Sequence, residues 1–146
     1  MNYYDAIANG YNELYSEEQE KKYEFIENRI PKAKLILDLG AGTGIISKKL
    51  EKFGKVIALD NSIRMIEKYD GIKIIADALN LPFKDKSFNL VFSLTMLQDI
   101  KDKNRVIFEM ERVGKKIIFS VLKKTFSMKL EKYEKLEEER DYFFIK

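Results

Sequence analysis

The sequence predicts an α/β protein whose open, mostly parallel sheet carries helices on both faces. Short β-branched runs alternate with helical apolar patterns over roughly the last four-fifths of the chain, as in repeated strand–helix–strand units. Apolar residues make up 45% of the chain and aromatic residues 12%, which is typical of an ordered domain with a substantial core. Because the 146 residues contain neither an internal repeat nor a dividing linker, we expect one domain.

Five strands are expected, because five short runs are rich in isoleucine, valine, leucine and phenylalanine. They span Lys34–Leu39, Lys55–Asp60, Ile72–Ala76, Asn89–Leu94 and Lys115–Leu122. Between them, apolar residues at helical spacing predict one helix over Thr43–Phe53 and a second that starts after Asp102 and ends at Gly114. Both helices should lie against the sheet.

The two ends of the chain are expected to be largely helical. A capping-box pattern at Ser16–Gln19 precedes a helix that stops before Pro31. After the fifth strand we expect a charged surface helix over Phe126–Arg140 and a last short strand at Tyr142–Ile145. The predicted domain of residues 1–146 thus consists of N-terminal helices at 1–31, an α/β core at 32–124, and a C-terminal helix and tail at 125–146.

The composition excludes several kinds of site. The chain has no cysteine and no histidine, so a disulfide framework, a thiolate metal site and the usual zinc ligands are excluded, and no metal is expected. Its 27 basic and 24 acidic residues give a net charge of +3, far from the one-sided balance of a dedicated nucleic-acid binder. Because no apolar run approaches the length that spans a bilayer and the N-terminus lacks a signal pattern, we expect a cytoplasmic protein without a membrane partner.

The stretch LDLGAGTG, residues 37–44, places three of the seven glycines directly after the first strand. A glycine-rich turn between a strand and a helix lets main-chain N–H groups approach a ligand, because no Cβ intervenes. The dinucleotide fingerprint G-x-G-x-x-G needs a glycine at position 45, where this chain has Ile45. The order here is instead acidic-x-Gly-x-Gly-x-Gly, from Asp38 to Gly44. The stretch favours a ligand loop over its alternative, a tight turn with glycines used only for geometry.

This pattern resembles the first motif of the class I S-adenosylmethionine-dependent methyltransferases, and the likeness extends over nearly the whole chain. The stretches VIALDNS and LNLPFKDKSFNLVFS are similar to those of small members of the ubiquinone/menaquinone-methyltransferase-like, type 11 group. The resemblance implies a Rossmann-like sheet of order 3-2-1-4-5 with truncated C-terminal strands. It also implies S-adenosyl-L-methionine as the cofactor and in-line displacement of its methyl group onto an acceptor.

The resemblance further implies which residues bind the cofactor. Asp60 ends the second strand, where a carboxylate accepts two hydrogen bonds from ribose hydroxyls, a contact that nicotinamide enzymes share. For three other positions an ordinary alternative stays open: core packing for Met65 and Tyr11, and an exposed strand end for Asp77. The implied cofactor contacts are Tyr11, Asp38, Gly40, Ala41, Gly42, Gly44, Asp60, Asn61, Met65, Asp77, Ala78, Ser93 and Leu94.

The methyl acceptor and the catalytic residues stay unassigned. After the fourth strand the chain reads Met96-Leu97-Gln98-Asp99, without the histidine pair that quinone methyltransferases often have, which opposes quinone chemistry. A base, where the acceptor needs one, would be Asp99, a tyrosine or the substrate itself. The alternatives to an independent enzyme are a non-catalytic S-adenosylmethionine-binding module and a subunit of a heteromeric RNA or protein methyltransferase; a nicotinamide oxidoreductase is a third.

The part of the chain after the fifth strand, which the resemblance implies would cover the methyl acceptor, is short, and this bears on the partners of the protein. About two dozen residues follow the fifth strand, and an apolar strand at a sheet edge tends to pair with another chain. A homodimer and a small activator subunit are therefore the partners considered. RNA is a further possible partner but is unsupported, because the lysine pairs of the chain are not interleaved with aromatic residues.

Overall fold

The computed structural model describes residues 16–146, which form four α-helices and seven β-strands. The helices are α1 over residues 16–26, α2 at Ile45–Leu50, α3 at Ile63–Ile66 and α4 at Lys103–Val113. The strands are β1 at Leu35–Leu39, β2 at Lys55–Asp60, β3 at Ile72–Ile75, β4 at Phe88–Ser93, β5 at Gly114–Leu122, β6 at Glu134–Glu137 and β7 at Asp141–Ile145. None of the helices within residues 16–146 combines the length and apolar content that a bilayer crossing needs.

All seven strands form one sheet of order β3-β2-β1-β4-β5-β7-β6. The five expected strands are confirmed to within one residue at each end, and they are parallel in the order 3-2-1-4-5. β7 and β6 run antiparallel to their neighbours. The chain moves from β1 outward to β2 and β3 and then crosses to β4 on the other side of β1. This reversal leaves a crevice at the carboxyl ends of β1 and β4, where open α/β sheets bind ligands.

Helices cover both faces of the sheet. On one face α1 and α2 bury Ile26 and Leu50 against β1, β2, β4 and β5. On the other face α4 buries Val106 and Met110. Asp102 caps α4 as expected, since its carboxylate accepts a hydrogen bond from a main-chain N–H of the first turn at 3.0 Å. The sheet and the helices on its two faces therefore form three layers, and the crevice lies at one end of the sheet.

The expected helix over Phe126–Arg140 is wrong. This segment is irregular up to β6 and then turns at Glu138 into β7. The Glu138 carboxylate accepts hydrogen bonds from the N–H groups of Arg140 at 2.9 Å and Asp141 at 2.7 Å, which closes the turn. Tyr133, within this segment, packs against aromatic rings of β5 and β7.

The last short strand expected at Tyr142–Ile145 is confirmed as β7. The expectation of truncated C-terminal strands is wrong, because β6 also forms and pairs with β7. β7 lies between β5 and β6, with Asp141 opposite Leu122 and Ile145 opposite Ile118. Phe143 and Phe144, which point to opposite faces, are both buried. A continuous apolar run of this kind is typical of a strand covered on both faces. The edge of β5 is therefore covered by the chain itself.

We expect Phe143→Ala to lower the free energy of unfolding by about 3–5 kcal/mol, because the ring is fully buried and its removal leaves a cavity. Phe108→Ala is the control, since this ring on α4 is half-exposed and its loss should cost about 1 kcal/mol or less. Urea denaturation followed by circular dichroism measures both values. Equal costs would contradict the interior position of β7.

Candidate functional site

A cavity of about 310 Å³ opens at the carboxyl ends of the parallel strands, where the strand order reverses. Its walls are the loop after β1, the end of β2, the turn after β3 and the segment after β4. The volume lies at the small end of the range for small-molecule sites. The lining residues are Leu39, Gly40, Gly42, Leu59, Asp60, Asn61, Met65, Ala76, Asp77, Ala78, Leu94, Thr95, Met96, Asp99 and Ile100.

The loop after β1 requires its glycines. Gly40, Gly42 and Gly44 have φ angles of 74°, 59° and 86°, in the left-handed region that side chains disfavour. A Cβ on Gly40 would also lie 2.6 Å from Met96 Cγ, and one on Gly44 would lie 2.6 Å from Tyr69 Cβ. The backbone conformation therefore disfavours a side chain at all three positions, and close packing adds to this at Gly40 and Gly44.

The N–H groups of this loop bond to the protein and do not point freely at the cavity. Gly40 and Ala41 both donate to the carbonyl oxygen of Leu59, at 2.8 and 2.9 Å. Gly42 donates to Asp60 Oδ2 at 2.8 Å. At these three positions the main-chain donors of the loop are therefore bonded to the end of β2, and their approach to a ligand stays a prediction. Gly40 and Gly42 line the cavity, and these hydrogen bonds hold the loop against the end of β2.

Asp60 is oriented by the main chain. Its Oδ2 accepts the hydrogen bond from Gly42, and its Oδ1 accepts one from the N–H of Ser62 at 2.9 Å. Ser62 in turn caps α3, because its hydroxyl accepts a hydrogen bond from the N–H of Met65 at 3.2 Å. The turn after β2 thus fixes a carboxylate and an apolar side chain on one wall.

Asp38 lies beneath the glycine loop and is only 3% exposed. Its Oδ2 accepts a hydrogen bond from the Ser47 hydroxyl of α2 at 2.6 Å. Burial raises the pKa of Asp38 to about 7; the hydrogen bond from Ser47 opposes this shift, and the negative charge of Asp60 adds to it. A pocket of about 30 Å³ next to Asp38 shares Gly40 and Leu94 with the larger cavity.

The connection from β3 to β4 carries Asp77 and Ala78 and is fastened to α4. The Arg112 guanidinium donates to the carbonyl oxygens of Phe83 at 2.7 Å and Leu81 at 3.0 Å. The Leu81 N–H donates to the buried Glu109 carboxylate at 2.8 Å. Because Arg112 also bonds to Glu109, it lowers the pKa of that carboxylate.

The structure brings most of the expected site residues together around the larger cavity. They come from four separate segments of the chain, which meet only because the parallel strands end at the same edge of the sheet. These residues are Gly40, Gly42, Asp60, Asn61, Met65, Asp77, Ala78 and Leu94.

The other expected site residues lie elsewhere. Asp38 and Ala41 line the smaller pocket. Gly44 packs against a buried tyrosine of the segment after α3. Ser93 is buried, and its hydroxyl donates to a carbonyl of β1 at 2.8 Å instead of lining the cavity. Tyr11 lies outside the described residues.

The wall formed after β4 was largely missed from the sequence. Thr95, Met96 and Ile100 line the cavity there, as does Asp99, which was considered only as a base. Threonine and methionine at a strand end look like ordinary packing residues. Their one usable signal was position, since they follow a strand beside the reversal of strand order.

A family model described as "Methyltransferase domain" matches residues 37–117 of this chain. The matched span runs from β1 into β5 and contains the glycine loop, the ends of β2 and β3 and the wall after β4. It is more than half of the chain.

Several relatives match over a larger share. Two uncharacterized proteins of Methanocaldococcus jannaschii are 34% and 31% identical, over 84% and 77% of this chain and 62% and 46% of their own lengths. A demethylmenaquinone methyltransferase of Thermotoga maritima is 35% identical over 56% of this chain and 39% of its own length. The chain spans less than two thirds of the length of each of these relatives.

Two solved structures share the fold. A Pyrococcus horikoshii protein superposes with a TM-score of 0.75 at 21% identity, over 99% of this chain and 98% of its own. A complex that contains the Haloferax volcanii Trm112 methyltransferase activator gives a TM-score of 0.76 at 21% identity, over 83% of this chain and 61% of the matched chain. These two structures show the fold. The family match and the relatives show that the chain belongs to the methyltransferase domain family, among the class I S-adenosylmethionine-dependent methyltransferases.

Proposed function

We propose that this chain binds S-adenosylmethionine in the 310 Å³ cavity and transfers its methyl group to an acceptor by in-line displacement. The observation that supports this most is the meeting of Asp60, Asp77 and the glycine loop around one cavity. The family resemblance implies that these separate segments of the chain contact the same cofactor. S-adenosylmethionine is the methyl donor of the family to which the chain belongs.

The donor and acceptor groups of the cavity fit this cofactor. Asp60 and Asp77 offer carboxylate oxygens, which accept hydrogen bonds from hydroxyl and amino groups. Leu59, Met65 and Leu94 provide apolar surface of the kind that a purine contacts. No lysine or arginine occurs among the described lining residues, so the cavity lacks the cations that commonly bind a pyrophosphate.

The cofactor supplies an electrophilic methyl group on a sulfonium. The protein binds the two reactants and holds the acceptor's nucleophile in line with that methyl group, an alignment that can contribute about 7–11 kcal/mol to the lowering of the barrier. An acceptor whose nucleophile carries a proton must lose it. Asp99 is a carboxylate on the cavity wall, and we assign it as the candidate to accept that proton.

We also propose that the chain associates with a further protein chain, as a homodimer or with a small activator subunit. Edge strand β3 supports this, because Ile72 and Ile75 are 47% and 52% exposed there. The structural neighbour complexed with the Trm112 activator is compatible with an activator subunit. Light scattering measures the mass of the purified protein in solution. A dimeric mass would support the homodimer, whereas a monomeric mass would exclude it and leave the activator subunit as the proposed partner.

Titration calorimetry should show S-adenosylmethionine binding to the wild type, and Asp60→Asn should weaken it about 10- to 100-fold. Hydrogen bonds to a charged group contribute about 1.5–3 kcal/mol, and this change removes the charge. Asp70→Asn is the matched control, because Asp70 is an exposed carboxylate that pairs with Lys48 at 3.4 Å. Binding of NADH in preference to S-adenosylmethionine would contradict the proposal.

Turnover should separate an enzyme from a binding module. Labelled S-adenosylmethionine is incubated with the protein and with fractionated RNA, protein and small-molecule pools, and S-adenosylhomocysteine is measured. We expect product with one class of pool only, and Asp99→Asn should slow its formation about 10- to 1,000-fold where the acceptor needs a base. Cofactor binding without turnover in any pool would favour the non-catalytic module.

The buried Asp38 should make stability depend on pH. Its pKa of about 7 in the folded protein lies above the ordinary 3.8, so the folded state keeps a proton that the unfolded state loses. Stability should therefore fall as pH rises through this interval, by up to about 4 kcal/mol. Asp38→Asn should remove much of the fall, and Asp70→Asn should retain it. Urea unfolding between pH 4 and pH 8 measures the slopes, and an unchanged slope in Asp38→Asn would contradict the assigned burial.

A further inference from the structure

Thr95, the second residue after β4, is held in an unfavourable backbone conformation. Its φ angle is 56°, in the left-handed region that β-branched residues rarely adopt. Such a conformation costs about 1–3 kcal/mol and persists only where surrounding contacts hold it. Thr95 also lines the larger cavity. Strain at this wall points to a function for the contacts that maintain it.

Three residues hold Thr95 in place. Its N–H faces Ser120, whose carbonyl and hydroxyl oxygens lie 3.1 and 3.0 Å away. Its hydroxyl accepts a hydrogen bond from the Lys22 ammonium at 2.9 Å and donates one to Asp141 Oδ2 at 3.2 Å. These partners come from β5, α1 and β7 respectively. Thr95 is therefore fixed from three separate elements.

The ion pair in this group is poorly explained by stability alone. Lys22 Nζ and Asp141 Oδ2 are 3.3 Å apart, and their side chains are 4% and 0% exposed. Burial raises the pKa of Asp141, which the charge of Lys22 opposes. Asp141 Oδ1 is buried without a hydrogen-bond partner among the described residues. Apolar side chains of similar volume often replace such buried pairs with no loss of stability.

The conformation of Thr95 determines where its two neighbours lie. Leu94 and Met96 both line the cavity, on either side of Thr95. The Met96 side chain packs so closely on Gly40 that a Cβ there would lie 2.6 Å from Met96 Cγ. A change at Thr95 would therefore move the wall that faces the glycine loop.

We propose that Lys22, Asp141 and Ser120 form a positioning group that holds Thr95 in its left-handed conformation and thereby sets the Leu94–Met96 wall of the cofactor cavity. None of the three lines that cavity, so each acts through Thr95. The cofactor part of this inference rests on the proposed function, whereas the geometric part does not.

Matched variants separate positioning from stability. Thr95→Val removes the hydroxyl and keeps the branched shape, and it should weaken S-adenosylmethionine binding about tenfold. Thr95→Ser restores a hydroxyl and should recover most of the loss. The double variant Lys22→Met with Asp141→Leu should unfold at the same temperature as the wild type or higher, yet bind about tenfold more weakly. Thr125→Val is the control, because that exposed hydroxyl donates to the carbonyl oxygen of nearby Leu122 and its loss should not affect binding.

A second measurement needs no ligand. With five methionines in the chain, the Met96 methyl resonance can be assigned in a ¹³C-methyl spectrum. It should shift in Thr95→Val and in the double variant, and stay unchanged in Thr125→Val. An unmoved Met96 signal in both, with affinity unchanged, would overturn the inference. Affinity that falls only in step with the melting temperature would also overturn it, since the group would then be merely structural. Met96 signals that shift in both variants, together with a wild type that binds no S-adenosylmethionine, would support the positioning group and overturn the proposed function instead.

Discussion

The hydrogen bonds between the glycine loop and the end of β2 determine the shape of the cavity. The Leu59 carbonyl accepts two loop N–H groups, and the Asp60 carboxylate accepts a third from Gly42. These contacts fold the loop back over the sheet, which requires the positive φ angles that glycine allows. Asp60 therefore has two roles that cannot be separated, because it anchors the loop and lines the cavity. Removing its side chain would disturb both, so the conservative asparagine is the informative change.

The C-terminal hairpin couples the far edge of the sheet to the same cavity. β7 covers the edge of β5, and its first residue, Asp141, reaches the hydroxyl of Thr95 beyond the end of β4. Lys22 brings α1 to the same point from the face of the sheet. β7 and α1, which both pack on the core, thus also meet at the cavity wall. Changes in the hairpin would be transmitted to the cavity through Thr95.

The sequence predicted the parallel part of the sheet because each of its strands is a β-branched apolar run. The glycine loop could be located because three glycines stand at alternate positions, whereas Asp60 and Asp77, each at the end of such a run, were implied as cofactor contacts by the family resemblance. The last strand, β7, was expected from its aromatic run, whereas β6 could not be predicted, since its Lys- and Glu-rich residues favour helix and only pairing with β7 overrides that preference. Thr95 could not be predicted either, because Lys22 and Asp141, which are distant in sequence, hold its conformation.

The charges around the cavity select a type of ligand independently of family likeness. Asp60, Asp77 and Asp99 line it, and no basic residue does so among those described. Burial mainly causes the raised pKa of Asp38, and the negative charge of Asp60 adds to it. The carboxylates that line the cavity would attract a cationic ligand and repel an anionic pyrophosphate. The electrostatics of the site therefore favour a sulfonium nucleoside over a dinucleotide, in agreement with the spacing of the glycines.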